Sequence, residues 1–147
     1  MYKRILVPLD GSKIAESALE HLKAVAIGCH VIETVLLTAI EPLQTGRPYG
    51  TSDEWLLDIQ RKARIAAENY IKEVADKLGK EGVNAKTVIV QGRPADAILD
   101  YATNNGVDLI IMSTHGRSGI SRWTFGSVAD KVVRYSTVPV LIVRPKK

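Results

Sequence analysis

Five short runs of branched and apolar residues, 4–9, 34–40, 86–91, 107–112 and 138–143, punctuate this chain. Between them lie stretches whose apolar residues recur at three- and four-residue spacing. The short runs are too brief for helices and apolar enough to be buried on both faces, which is the mark of parallel strands. Strands alternating with helices constrain the fold severely. Each parallel strand needs a crossover, crossovers are right-handed, and the helices end up covering both faces of one sheet. The expectation is an α/β fold: a five-stranded parallel doubly wound sheet with helices on both faces. With 147 residues and 46% hydrophobic content, the chain reads as a single domain, 1–147. Alternation alone does not choose the strand order.

Local signals set the element boundaries. Pro8 lacks the N–H that a central strand needs, so the first strand must finish near it. Ser12 is placed to cap a helix from Lys13 to about Ala26, with Ala15, Leu19, Leu22 and Ala26 inward. The stretch 41–53, with Pro42, Gly46, Pro48 and Gly50, is long enough for a lid or partner surface. From Asp53 to about Leu78, residues Leu56, Ile59, Ala63, Ala66, Ala67, Tyr70, Ile71, Val74 and Leu78 trace one face, which the spacing assigns to core packing. Gly79 and Gly82 end that helix. Pro94 opens the next helix, and Asn104-Asn105-Gly106 closes it. A last helix is expected from about Gly126 to Tyr135, with Val128, Ala129, Val132 and Val133 on one face.

The strand at 107–112 runs into Ser113-Thr114-His115-Gly116-Arg117-Ser118-Gly119, and the loop enters the last helix through Gly126-Ser127. The first N–H groups of a helix have no intrahelical partners, and the dipole adds roughly half a positive charge there. Glycines allow close approach of the main chain, and the combination suits phosphate. Turn geometry alone also enriches such loops in glycine. Charge adds weight to the phosphate reading. Seven of the twenty Lys/Arg but one of the sixteen Asp/Glu lie from Ser113 onward, and Arg117 and Arg122 fall within the loop. Asp10, at the carboxyl end of the first strand, faces the crevice where open α/β sheets bind ligands.

Other chemistries lack their residues. There is no G-x4-G-K-[ST] P-loop, no G-x-G-x-x-G after the first strand, and no G-x-S-x-G elbow. His21, His30 and His115 are not at metal-ligand spacing, and Cys29 is alone. A phospho-accepting receiver domain would need an Asp ending the third strand, where this chain has Gln91-Gly92. The net charge of +4 permits anionic partners, yet no aromatic residues interleave a basic stripe as single-strand nucleic-acid binding requires. The start has too few apolar residues for a signal-peptide core, and no 18-residue apolar span occurs, so a cytoplasmic protein outside the membrane is expected.

The run from Met112 to Arg144 resembles the C-terminal signature of the universal stress proteins, in particular their ATP-binding branch, whose pattern is G-x2-G-x9-G-[ST]. Gly116, Gly126 and Ser127 match its second half, while Ser113 stands where the first glycine falls. The likeness extends from Ile5-Leu6-Val7-Pro8-Leu9-Asp10 to Pro139-Val140-Leu141-Ile142-Val143. It implies the strand order 3-2-1-4-5 and a regulatory or protective protein of the stress response that binds ATP with Mg. The adenosine side would fall to Pro8, Leu9, Asp10, Ala39 and Met112. The ribose and phosphates would fall to Ser113, Gly116, Arg117, Gly126, Ser127 and Val128. A homodimer pairing through the last strand is implied as well. Two alternatives are a slow ATPase of the same fold, and a family member that binds no nucleotide and works through protein contacts. No general base is identifiable near the phosphates, so any turnover is expected to be slow.

Overall fold

The computed structural model describes residues 1–43, 50, 52–115 and 125–146. The elements are β1 (Arg4–Pro8), α1 (Lys13–Glu16), α2 (Ala18–Gly28), β2 (Glu33–Ile40), α3 (Asp53–Lys80), β3 (Ala85–Gln91), α4 (Pro94–Asn104), β4 (Leu109–Ser113), α5 (Ser127–Tyr135) and β5 (Val140–Val143). The sheet order is β3-β2-β1-β4-β5, and its recorded ladders are all parallel. The order 3-2-1-4-5 is therefore observed, with the switch point between β1 and β4.

Alternation along the strands divides the core into two layers. Ile5, Val7, Leu9, Leu36, Leu109 and Ile111 pack with Leu22, Ile71, Val74 and Leu78 on the α2/α3 side. Leu6, Val35, Leu37, Ile110 and Met112 pack with Ile98, Ala102, Ala129 and Val132 on the α4/α5 side. Twelve large side chains fall below 2% exposure, and each fully buried aliphatic chain contributes about 1.5–3 kcal/mol. The layers give the sheet its rigidity.

Caps behave as the local sequence dictates. Ser12 Oγ accepts from Ala15 N at 3.1 Å, and Ser52 Oγ from Trp55 N at 3.3 Å. Helix α3 ends in a Schellman arrangement: Val83 N donates to Leu78 O, Gly82 N to Gly79 O, and Gly82 has φ +89°. Gly79 lies inside the helix, and only Gly82 ends it.

Three expectations need correction. The first helix is broken at Ser17, whose hydroxyl donates to Ile14 O at 2.7 Å, so α1 and α2 are separate. Val133 is 42% exposed, since only Ala129 and Val132 of α5 turn fully inward. In α3 the apolar stripe is fully buried only at Ile71, Val74 and Leu78, with Tyr70 partly buried against the same core. No residue from Asp53 to Tyr70 is buried, because the helix outruns the sheet it covers.

Candidate functional site

Pro8 explains why the sheet opens at its switch point. Leu9 N donates to Leu37 O at 2.8 Å, so Leu9 turns its main chain toward β2. Main-chain groups of successive strand residues point to opposite neighbours, so Pro8 turns toward β4, where its missing N–H leaves a gap. The ladder records this. Five pairs join β1 to β2, continuing to Pro8↔Leu37, whereas β1 and β4 share only Ile5↔Leu109 and Leu6↔Ile110. The next pair, Val7 with Ile111, would need a donor at Pro8. The two central strands therefore part before their carboxyl ends, where open α/β sheets take their ligands.

Asp10 stands on one lip of this opening. Its Oδ1 accepts from Ser12 N at 2.9 Å and Ser12 Oγ at 2.6 Å. Ser12 Oγ in turn caps α1. The carboxylate is thus oriented by the turn, and both readings of Asp10, turn former and ligand contact, rest on one geometry. Leu9 is 3% exposed and belongs to the α2/α3 layer; its N–H is already used. Only its carbonyl is left for a ligand.

The other lip is the end of β4. Thr114 N donates to Val143 O at 2.9 Å, extending the pairing with β5 by one residue. Ser113 and Thr114 are both buried. Ser113 follows Leu109 and Ile111 in alternation, so its side chain lies on the α2/α3 face, away from α5. Its Oγ has a marginal contact with His115 N at 3.5 Å. His115 Nδ1 meets Thr114 Oγ1 at 2.9 Å, and its Nε2 is buried without a hydrogen-bond partner among the described residues.

Gly126 joins this lip to α5. Its N–H donates to Thr114 O at 2.8 Å, so that donor is already engaged. A Cβ at Gly126 would lie 3.1 Å from Thr114 O and 3.5 Å from His115 Cα. With φ −60° and ψ 155°, the backbone conformation suits any residue, so space rather than torsion requires glycine here. The close approach seats the start of α5 against the end of β4. Asp130 N donates to Gly126 O, while the N–H groups of Ser127, Val128 and Ala129 have no recorded acceptor among the described residues. These three are the free donors of the helix.

The geometry brings most of the expected residues together. Ala39, Met112 and Val128 share the apolar cluster on the α4/α5 side, with Ala39 and Val128 only partly buried. Pro8, Asp10 and Ser113 occupy the two strand ends, and Ser127 the helix start. Gly116 and Arg117 lie outside the described residues. Thr114 and His115, which hold Gly126 in place, are the contributors that motif spacing did not assign. A cavity of about 290 Å³ lies elsewhere, between the end of β3 and α4, and none of the expected residues lines it. Among the described residues no cluster of His, Cys, Asp or Glu could hold a metal ion, and no helix is long and apolar enough to cross a membrane.

Residues 1–144 match the model of the universal stress protein family. The chain belongs to this family. Universal stress protein MJ0577 of Methanocaldococcus jannaschii is 32% identical, over 99% of this chain and 97% of its own length. Universal stress protein YxiE of Bacillus subtilis is also 32% identical, over 98% of this chain and all of its own. The solved structure of MJ0577 superposes with a TM-score of 0.87, covering 100% of this chain and 99% of that one at 34% identity. A universal stress protein solved in complex with cAMP shares the fold at a TM-score of 0.72 and 23% identity, covering 99% and 98%. This universal stress protein therefore has the sheet order and the switch point of an open doubly wound α/β fold.

Proposed function

We propose that this universal stress protein binds ATP with Mg at the crevice between β1 and β4, in a regulatory or protective role. One observation carries the reading: Gly126 presses the start of α5 against Thr114 and His115, and the free N–H groups of Ser127, Val128 and Ala129 converge beside the opening that Pro8 leaves. A helix start with free donors favours an anion by charge and by hydrogen bonding. Pro8, Leu9 through its carbonyl, Asp10, Ala39 and Met112 would border the adenosine. Ser113, Gly116, Arg117, Ser127 and Val128 would border the ribose and phosphates, with Gly126 shaping the turn. Mg would be met by the phosphates themselves. The fold shared with a cAMP complex supports an adenine nucleotide in general terms.

The alternative without nucleotide rested on Ser113. Its buried side chain lies on the α2/α3 face, so it need not obstruct a ligand held near α5. Homodimer formation through β5 is part of the proposal. The strand lies at one edge of the sheet, and Val140, Leu141 and Ile142 are only partly buried. The cytoplasm is the expected compartment.

The test is direct. Heat-denaturing the purified protein and recording the absorbance and mass of what is released should give an adenine nucleotide. Calorimetry on stripped protein should then give a Kd for Mg-ATP in the micromolar range, about −8 kcal/mol. Phosphate release should run far below the roughly 1–100 s⁻¹ of kinases. A stripped, folded protein that gives no heat with ATP or AMP would reject nucleotide binding. Rapid Mg-dependent hydrolysis abolished by Asp10→Asn would instead make the protein an ATPase.

A further inference from the structure

Helix α1 is a single turn, and it is joined directly to the turn that holds Asp10. Ser12 makes the link: its N–H and hydroxyl donate to Asp10 Oδ1, and its Oγ accepts from Ala15 N. One turn of helix has almost no stability of its own, because nucleation is the costly step. Ser17 separates it from α2, so the two do not run on as one helix. Within α1 only Ala15 is buried, and it offers the core little more than a methyl group. A second fastening comes from 54 residues away: Tyr70 Oη donates to Glu16 Oε1 at 3.1 Å. The Glu16 side chain is only 17% exposed, and the Tyr70 ring packs on the α2/α3 core layer. Lys13 Nζ also meets Glu16, at 3.0 Å, but it is almost fully in solvent, where such pairs contribute little.

We infer that Tyr70 and Glu16 are positioning residues for the Asp10 lip of the crevice. The phenol on α3 holds α1 through Glu16, and α1 holds the Asp10 carboxylate through Ser12. The contacts are continuous: Tyr70 to Glu16, Glu16 to Ser12 along one helical turn, and Ser12 to Asp10. The two ends of this series differ in rigidity. Helix α3 is anchored in the core by Ile71, Val74 and Leu78, and Ile71 directly follows Tyr70. The phenol is therefore carried by a fixed element, whereas the turn it holds is weak by itself. A hydroxyl donating to a carboxylate is stronger than a neutral pair, so the bond suits this task. Helix α1 also packs against β4, so a shift of α1 is felt at both borders of the opening. The consequence for a ligand rests on the nucleotide reading above, while the holding of the Asp10 turn does not.

Tyr70→Phe removes the donor and keeps the ring. In the ligand-free variant, the Ser12 and Ala15 amides should lose protection from hydrogen exchange about three- to tenfold relative to the amides of β1, the worth of one hydrogen bond. The Kd for Mg-ATP should rise by a similar factor. Glu16→Ala should reproduce both changes. Glu16→Gln, whose amide oxygen still accepts, should stay close to wild type. Tyr70→Phe combined with Glu16→Ala should be no worse than either alone, because both remove the same bond. A merely structural bond would lower the urea midpoint and leave the Kd of the folded protein unchanged. Wild-type protection of Ser12 and Ala15 relative to β1 in Tyr70→Phe would overturn the proposal, and so would faster exchange beside an unchanged Kd. A wild-type protein that binds no nucleotide would reject the earlier reading by itself, and the exchange comparison would then decide this one alone.

Discussion

The two ends of the sheet are built on opposite plans. At the amino end, the Asp108 carboxylate accepts from Lys3 N at 2.9 Å and Arg4 N at 3.2 Å, bridging the entry of β4 to the entry of β1. Arg4 pairs with Glu33 at 2.7 Å and also donates to Asn105 O. Asp108 N closes the same circuit by donating to Arg4 O. Charged side chains thus tie three strand entries together. Toward the carboxyl end the β1–β4 ladder stops at Leu6↔Ile110, because Pro8 withholds a donor. The ladder is clamped at one end by these charged side chains and parts at the other because of Pro8. Stability is thus concentrated at the end of the sheet opposite the proposed nucleotide crevice.

Asp108→Ala should have the largest effect on this contrast. Removing the acceptor of two main-chain donors should cost about 2 kcal/mol of stability, read as a lower urea midpoint, while the Kd for Mg-ATP of the folded protein stays within a factor of two or so. A parallel loss of affinity would show that the two ends are not separable.

Gly126→Val comes next. Its Cβ would press on the Thr114 carbonyl, so overpacking should cost about 1–3 kcal/mol in the ligand-free protein, with Gly126→Ala milder. Affinity should weaken only as far as the start of α5 is displaced. An unaltered thermal midpoint would mean that the close approach is no constraint.

Pro8→Ala sharpens the comparison most. The restored N–H can donate to Ile111 O and extend the β1–β4 ladder, while the unfolded chain gains freedom worth about 0.4–1 kcal/mol. The net change in stability should be near zero, yet nucleotide affinity should fall as the crevice narrows. Protection of the new amide in hydrogen exchange would report the extra ladder bond directly.

The smallest effect lies away from both ends. Hydrogen bonds from Lys62 and Arg61 hold the Asp58 carboxyl below its ordinary value. A lowered folded value means that its contribution is complete above the usual carboxylate range and is lost as pH falls through the lowered value, below about 4. Both pairs lie at the solvent-exposed surface of α3, so the acid limb of the stability curve should barely differ in Asp58→Asn, and an NMR titration should detect the shift.

Much of this arrangement was legible before any coordinates. The Ser12 cap and the Gly82 stop follow from side-chain and backbone chemistry within a few residues. The strand runs could be read because parallel strands are apolar on both faces. Pro8 was readable as a strand terminator, but not which neighbour it would deprive of a bond. Spacing alone could not show that Gly126 also keeps clear of the Thr114 carbonyl, which lies twelve residues earlier in sequence. The stripe on α3 was assigned wholly to the core because periodicity defines a face without saying what meets it.

The sequence alone determined the alternation of strand and helix, the turn and cap positions, the basic loop before α5 and the family. Those properties arise from contacts a few residues apart, where backbone torsion and side-chain period decide. The tertiary structure decided which strand ends would meet. Pro8 and Ser113 lie more than a hundred residues apart, and they share a crevice only because β1 pairs with β4 after both helical layers have buried their apolar faces. Burial is non-directional and summed over the whole chain, so no local segment carries that outcome by itself.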